Sequence, residues 1–259
     1  MSRGLRALLL TTLAIAPTLA CAQVLHVQVD GAVAAPGARV LPADTRRAEL
    51  LLEAAPRPDA YMVGAALLQT GNVLEQTRLK AGLLYDLQAI AQLDDPALSM
   101  AATALQAWLV GLPVSGRAVG VQLEPRRVEL VEGANQKLQD GDRFVYPTRP
   151  DSIQVVGAVA QPCALPHVPQ QDAARYLRDC PAGAGADPDT VFAIQPDGVV
   201  QTLGVAAWNR SNPQPLAPGA VLFVPLVQQR VSKIDPLFNA QVAQFLATQV
   251  LPAPGAGTP

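Results

Sequence analysis

Aromatic residues are scarce in this chain of 259 residues: two Trp, four Tyr and five Phe, or 4%. A surface dedicated to stacking sugar rings draws on a larger supply, so composition does not announce one. Histidine is scarcer still. His26 lies near the start of the chain, and His167 lies within Pro166-His167-Val168-Pro169. Metal sites gather several histidines, cysteines or carboxylates at close spacing, and no such cluster stands out. Neither a metal nor a cofactor is expected. Gly-x-Ser-x-Gly and a phosphate-cradling glycine loop are also missing. With no nucleophile, base or oxyanion donor in a recognisable spacing, no catalytic residue is nominated and an enzyme is not expected.

Charge is sparse as well, at 15% of residues, with 19 basic against 21 acidic side chains. No run or patch of lysine and arginine is visible, which argues against nucleic acid and against charge-driven binding to anionic membranes. One long apolar run occurs, from Ala7 to Leu19 behind Arg3 and Arg6. It is too short to cross a bilayer, and Ala20-Cys21-Ala22 fits a small-x-small cleavage site. Residues 1–22 are therefore expected to be a cleavable signal peptide, with export to the periplasm and no transmembrane span of the protein's own. A lipoprotein cysteine at Cys21 is the alternative, but Leu19 sits one place too late for that motif. Loss of Arg3 and Arg6 leaves 17 basic residues against 21 acidic, a net charge of −4. Of three cysteines, Cys163 and Cys180 remain, and in an oxidising compartment a disulfide between them is the default.

What the chain does have is a repeated phrase. Residues 27–37 read VQVDGAVAAPG and residues 153–163 read IQVVGAVAQPC, an offset of 126. A second pair closes each copy, LQDGDRFVYP at 138–147 and LAPGAVLFVP at 216–225. Two copies of one small fold follow, the first enlarged by an insertion.

In the first copy, Val24–Val33 alternates like a strand, Ala35-Pro36-Gly37 turns the chain, and a short strand follows at Arg39–Leu41. Asp44 or Thr45 can cap a helix running to about Ala55. Later strands are expected at Gly120–Leu123, Arg127–Val131 and Arg143–Tyr146. The second copy keeps the order: strand Ile153–Val159, helix Pro169–Arg178, then strands Thr190–Ile194 and Val199–Leu203 around a Pro196-Asp197-Gly198 turn, closing at Val221–Val224. Two strands, a helix and more strands make an α+β grasp of a sheet around one helix.

Between residues 60 and 116, two apolar helical stretches, Gly71–Leu93 and Ala97–Leu109, flank Asp94-Asp95-Pro96. Proline suits the first helical turn and an aspartate before it can cap the exposed amides, so a helical hairpin is expected. Asp94 and Asp95 also form a carboxylate pair, but nothing nearby completes an acid–base constellation. Residues 232–251 are expected to form an amphipathic helix after Asp235-Pro236. Phe238, Val242, Phe245 and Leu246 make the apolar face, against Asn239, Gln241, Gln244 and Thr248. About 16 helical residues reach ~24 Å, short of a ~30 Å hydrocarbon core. The Pro- and Gly-rich tail, 252–259, is expected to be disordered.

Gly31-x-Val33-x-x-Pro36-Gly37, between a strand and a helix, resembles the β-grasp (SLBB-type) modules of bacterial polysaccharide export proteins. The larger pattern resembles the capsule biosynthesis GfcC family: a signal peptide, two β-grasp domains, a helical hairpin inserted in the first, and a C-terminal amphipathic helix. The resemblance spans nearly the whole mature chain, at 23–150 and 151–231 for the two domains and 232–251 for the helix. One departure is Cys163 where the first copy has Gly37. The resemblance implies a periplasmic accessory of capsule or exopolysaccharide export, in contact with export machinery or an outer-membrane channel.

The resemblance also implies an arginine after a Leu-Pro-x-Ser/Thr-Gly stretch, here Leu112-Pro113-Val114-Ser115-Gly116-Arg117. A guanidinium at that junction can hold the carboxylate of an acidic polysaccharide or a set of backbone carbonyls, or it can simply brace the hairpin base. Trp208, in a polar loop before Asn209-Arg210-Ser211-Asn212, is a second binding candidate, whereas Trp108 lies within the apolar hairpin. The stripe Phe238, Val242, Phe245 and Leu246 either packs on its own domain or docks on a partner.

Overall fold

The computed structural model describes residues 24–252, so the expected signal peptide and nearly all of the expected tail lie outside it. The first copy contains β1 (Val24–Gly31), β2 (Gly37–Pro42), α1 (Arg47–Ala54), a 3-10 turn (Met62–Gly64) and β3 (Ala66–Leu68). It continues with α2 (Thr70–Ala91), α3 (Pro96–Val110), β4 (Arg117–Ala118), α4 (Pro125–Leu130) and β5 (Arg143–Tyr146). The second contains β6 (Ser152–Gly157), β7 (Cys163–Pro166), α5 (Ala173–Asp179), β8 (Thr190–Ile194), β9 (Val200–Gly204) and β10 (Val221–Val224). Helices α6 (Gln228–Val231) and α7 (Phe238–Ala247) follow. The class is α+β, with two five-stranded mixed sheets and seven α-helices among the described residues.

The repeat in the sequence is a repeat in topology. The first sheet runs β2-β1-β5-β3-β4 and the second β7-β6-β10-β8-β9, the same order in each copy. In both, the first and last strands pair in parallel and the rest antiparallel. The repeated glycine explains why the phrase is kept. Gly31 and Gly157 take φ of 94° and 102° where each opening strand meets the closing one. A Cβ there would lie 2.1 Å from the Tyr146 carbonyl oxygen in one copy and 2.2 Å from that of Val224 in the other. Only glycine permits both the left-handed backbone and the approach. The amides that follow, Ala32 and Ala158, then donate to those same two carbonyls at 2.7 and 2.8 Å.

The insertion sits where the second copy has its β8–β9 turn, since α2 and α3 connect β3 to β4. Asp95 caps α3 by accepting from the Leu98 amide at 3.1 Å, with Pro96 in the first turn. Buried positions run Leu83, Leu87, Ile90 on α2 and Leu98, Ala102, Leu105, Leu109 on α3, one stripe per helix. These stripes belong to the core of the second sheet, together with Ile153, Val155, Tyr176, Phe223 and α7. The first sheet has a separate core around Val29, Leu51, Leu67, Phe144 and Tyr146. A hairpin that leaves one copy thus roofs the other. Each buried Leu or Ile contributes ~1.5–3 kcal/mol, enough to join the copies firmly.

Four local expectations are corrected. Residues 125–130 form α4 rather than a strand, because Pro125 presets the first helical turn and Val128 alone turns inward. The strand expected at Gly120–Leu123 does not form there: the two-residue β4 precedes that stretch, and the chain turns away at Gly120, with φ 75°. Helix α1 starts at Arg47 with no cap from Asp44 or Thr45; its Ala48 amide is met instead by Asn135 Oδ1, at 3.0 Å. Of the helix expected at 232–251 only the ten-residue α7 is helical; the short α6 ends before that range, and the Asp235-Pro236 turn lies between them, with Asp235 accepting from the Leu237 amide at 2.8 Å.

Candidate functional site

Three walls meet around Arg117: the first half of α2, strand β4 and the outer edge of α7. Between them lies an open groove of about 740 Å³ lined with amide side chains, among them Asn72, Gln76, Gln241 and Gln244. Arg117 stands at its end and also borders hollows of about 500 and 250 Å³ on its other sides.

Arg117 is 4% exposed, and the terminal nitrogens of its guanidinium are occupied. Nη1 donates to the Gln249 carbonyl at 2.8 Å and more weakly to that of Ala247 at 3.4 Å, while Nη2 donates to the Pro196 carbonyl. A cation is favourable at the C-terminus of α7, where carbonyls lack helical partners. Pro196 belongs to the β8–β9 turn, so one side chain of the first copy ties that turn to the end of α7. Gln76 holds the backbone on which Arg117 rides. It accepts from the Gly116 amide at 2.8 Å and donates to the Arg117 carbonyl at 2.9 Å. Ser115 adds a 2.7 Å bond to the Thr248 carbonyl. Burial pushes the Arg117 guanidinium below its ordinary pKa, and Asp197 partly offsets this.

Arg117 therefore shapes the groove and reaches backbone carbonyls of its own chain. The groove is left with Gln244 and Glu75 as exposed polar groups, so a neutral, hydroxyl- or amide-rich ligand fits its chemistry better than a carboxylate.

The remaining sequence candidates separate. Phe238, Val242, Phe245 and Leu246 are all buried against the second core, so the stripe meets its own protein. Asn239 and Thr248, expected on the polar face, are buried too. Asn239 pairs with the backbone of Leu226, accepting from its amide at 3.1 Å and donating to its carbonyl at 2.8 Å. Trp108 packs partly buried against the second core, while Trp208 is 76% exposed, its indole N–H donating to Asp189 at 3.2 Å. Cys163 and Cys180 form a disulfide linking the start of β7 to the residue after α5. Asp95 is a helix cap rather than half of an acid–base pair, and it also approaches Arg230 of α6 at 3.4 Å. No group of three or more His, Cys, Asp or Glu is placed to hold a metal among the described residues. Nor is any described helix long and apolar enough to cross a membrane.

Gln76 and Asn135 escaped the sequence reading. Gln76 did leave a trace, as a polar residue two turns ahead of the apolar stripe Leu83, Leu87, Ile90. Asn135 left none, because its partner is 87 positions away.

Comparison with known proteins places this architecture. Residues 161–251 match the family model described as capsule biosynthesis GfcC C-terminal. Over 209 residues the chain is 30% identical to the uncharacterized protein YjbG of Escherichia coli (strain K12), covering 78% of this chain and 83% of that protein. The matched family segment runs from the repeated Gln161-Pro162 turn through the end of α7, and the longer alignment reaches well beyond it. The chain belongs to the capsule biosynthesis GfcC family.

Proposed function

We propose that this protein is a periplasmic, non-enzymatic accessory of capsule or exopolysaccharide export that acts by contact with the export machinery. Two β-grasp domains, 23–150 and 151–231, form its body, and a cleavable signal segment delivers it. Family membership supports the process, and the Cys163–Cys180 disulfide suits an oxidising compartment.

One observation carries the contact mechanism. The groove is walled by α2 and α7 with β4 between them, that is, largely by the elements added to the bare repeat. The apolar faces of α2 and α7 complete the core of the second sheet. The polar side chains they turn to the groove, among them Asn72, Glu75, Gln241 and Gln244, take no part in that core and leave an open polar surface that packing alone does not require. The groove takes a segment of an export protein at the outer membrane, with Gln244 and Glu75 offering side-chain hydrogen bonds and Arg117 holding the walls in register.

Affinity capture from outer-membrane extract tests this with the whole mature chain and a Gln244→Arg/Glu75→Arg variant. Both substitutions fall on exposed positions, so folding is kept. An export channel retained by the native chain and lost by the variant is the expected result. Equal retention by both moves the contact elsewhere on the protein.

A second reading, direct binding of polysaccharide, is favoured by Trp208. A large indole left in water, with its N–H tied to Asp189, is a ready platform for a sugar ring.

A further inference from the structure

On the far side of the second copy, α5 and the loop between β9 and β10 enclose a hollow of about 680 Å³. Arg175, Arg178 and Arg210 stand in its wall, over a floor of Ala174, Leu177 and Val205. All three arginines are exposed, and none forms a salt bridge among the described residues. Asp172, the acid in the wall, is partly used in accepting from the Gln214 amide at 3.0 Å.

The internal repeat supplies a control on whether the fold requires these cations. Helices α1 and α5 correspond at the offset of 126, and their burial patterns agree at the exposed positions. Where the second copy has Arg175 and Arg178, the first has Glu49 and Leu52. A residue of opposite charge and an apolar one serve equally well in the same fold. The two arginines, three apart on one helical face, are therefore not there to build the helix. They stand out further in a chain whose mature charge is −4.

The neighbouring loop is held in place. Ser211 accepts from the Gly204 amide at 2.9 Å and returns its own amide to the Gly204 carbonyl at 3.0 Å. Asn209 accepts from the Ala206 amide at 3.1 Å and donates to the Asp189 carbonyl at 2.9 Å. This fixed loop carries both Arg210 and the exposed Trp208. On the other side, the disulfide at Cys180 pins the end of α5 to β7. The first copy has no counterpart to that crosslink, because Gly37 and Ala54 occupy the matching positions. The cations are thus presented from two anchored segments, which lowers the ordering cost of binding.

We propose that Arg175, Arg178 and Arg210 form a binding site for carboxylate-bearing sugars of an acidic polysaccharide, with Trp208 as a stacking surface on the same loop. Guanidinium groups hold carboxylates through paired, charge-assisted hydrogen bonds. The apolar floor suits the C–H face of a pyranose ring, and three unneutralised cations concentrate a polyanion at the surface. The inference rests on the glycan-binding reading above and gives it a location distinct from the Arg117 groove.

The test uses the mature native chain, an oligogalacturonate as acidic probe and a malto-oligosaccharide of equal length as neutral probe, with calorimetry and tryptophan fluorescence. The native chain is expected to bind the uronate at least tenfold more tightly than the neutral sugar, more weakly as salt rises, with a change in emission that disappears in Trp208→Phe. Arg175→Glu/Arg178→Leu, which installs the residues of the first copy, is expected to reduce uronate affinity tenfold or more with an unchanged melting temperature. Uronate binding that survives this double substitution but is lost in Gln244→Arg/Glu75→Arg overturns the site while sparing glycan binding. So does equal binding of the neutral sugar. Failure of the native chain to bind either probe overturns both the site and the reading on which it rests.

Discussion

Arg117 Nη1 lies 2.8 Å from the carbonyl oxygen of Gln249, a residue 132 positions further along the chain. That bond, with those to Ala247 and Pro196, makes a side chain of the first copy the cap of the last helix. Removing it strands buried carbonyls that no solvent molecule replaces easily. Arg117→Ala is expected to cost about 2–4 kcal/mol in urea unfolding. Arg117→Lys should recover part of this at most, since an ammonium cannot span the same fork of acceptors.

The two repeated glycines should fail alike. Gly31→Ala and Gly157→Ala each force a left-handed backbone and a Cβ about 2 Å from a carbonyl oxygen. Each is expected to lower stability by more than about 3 kcal/mol or to prevent folding, as read by circular dichroism and soluble yield. A mild effect at either position would mean that the opening and closing strands of that copy can separate without loss.

Helix α7 should behave as core. Phe245 is fully buried, and Phe245→Ala is expected to cost about 3–5 kcal/mol. A chain ending at residue 231 should lose the cooperative unfolding of its second half, because seven of the ten α7 residues are buried. A folded, cooperative truncation would instead assign the helix to a partner.

Alkaline pH offers a separate probe. Tyr146 is buried at the end of β5, and its hydroxyl donates to the Leu123 carbonyl at 3.0 Å. Burial pushes its phenol above the ordinary value, with Arg47 partly offsetting this. A raised pKa in the folded state means that the neutral phenol is favoured there. Its contribution is therefore complete below the ordinary phenol pKa of about 10 and is lost as pH rises beyond it. Tyr146→Phe should cost about 1 kcal/mol at neutral pH and flatten the alkaline decline in melting temperature.

Much of this architecture was legible because local chemistry and tertiary role coincide. The repeated phrase marks the strand crossing that only glycine permits, so it foretold two sheets of identical order. Asp95-Pro96 is a start signal that works through adjacent atoms, and α3 begins where it says. Strand β3 was hidden because Ala66-Leu67-Leu68 is too short to alternate and has no β-branched residue, so it was absorbed into the insertion. The apolar stripes of α2, α3 and α7 were plain, but a stripe reports that a face is buried and not against what. Their shared destination, the core of the second sheet, is set by contacts far apart in sequence. The same distance conceals the carbonyls around Arg117, which the sequence could nominate only as one of several acceptors.

The contact account is tested most directly in cells that make capsule, with a photo-crosslinking residue placed at Gln244 in the groove or at Thr103 on the exposed face of α3. The account predicts a crosslink to an outer-membrane export protein from position 244 and none from position 103. Crosslinks of equal yield from both positions, or none from 244 while capsule is exported normally, would contradict it.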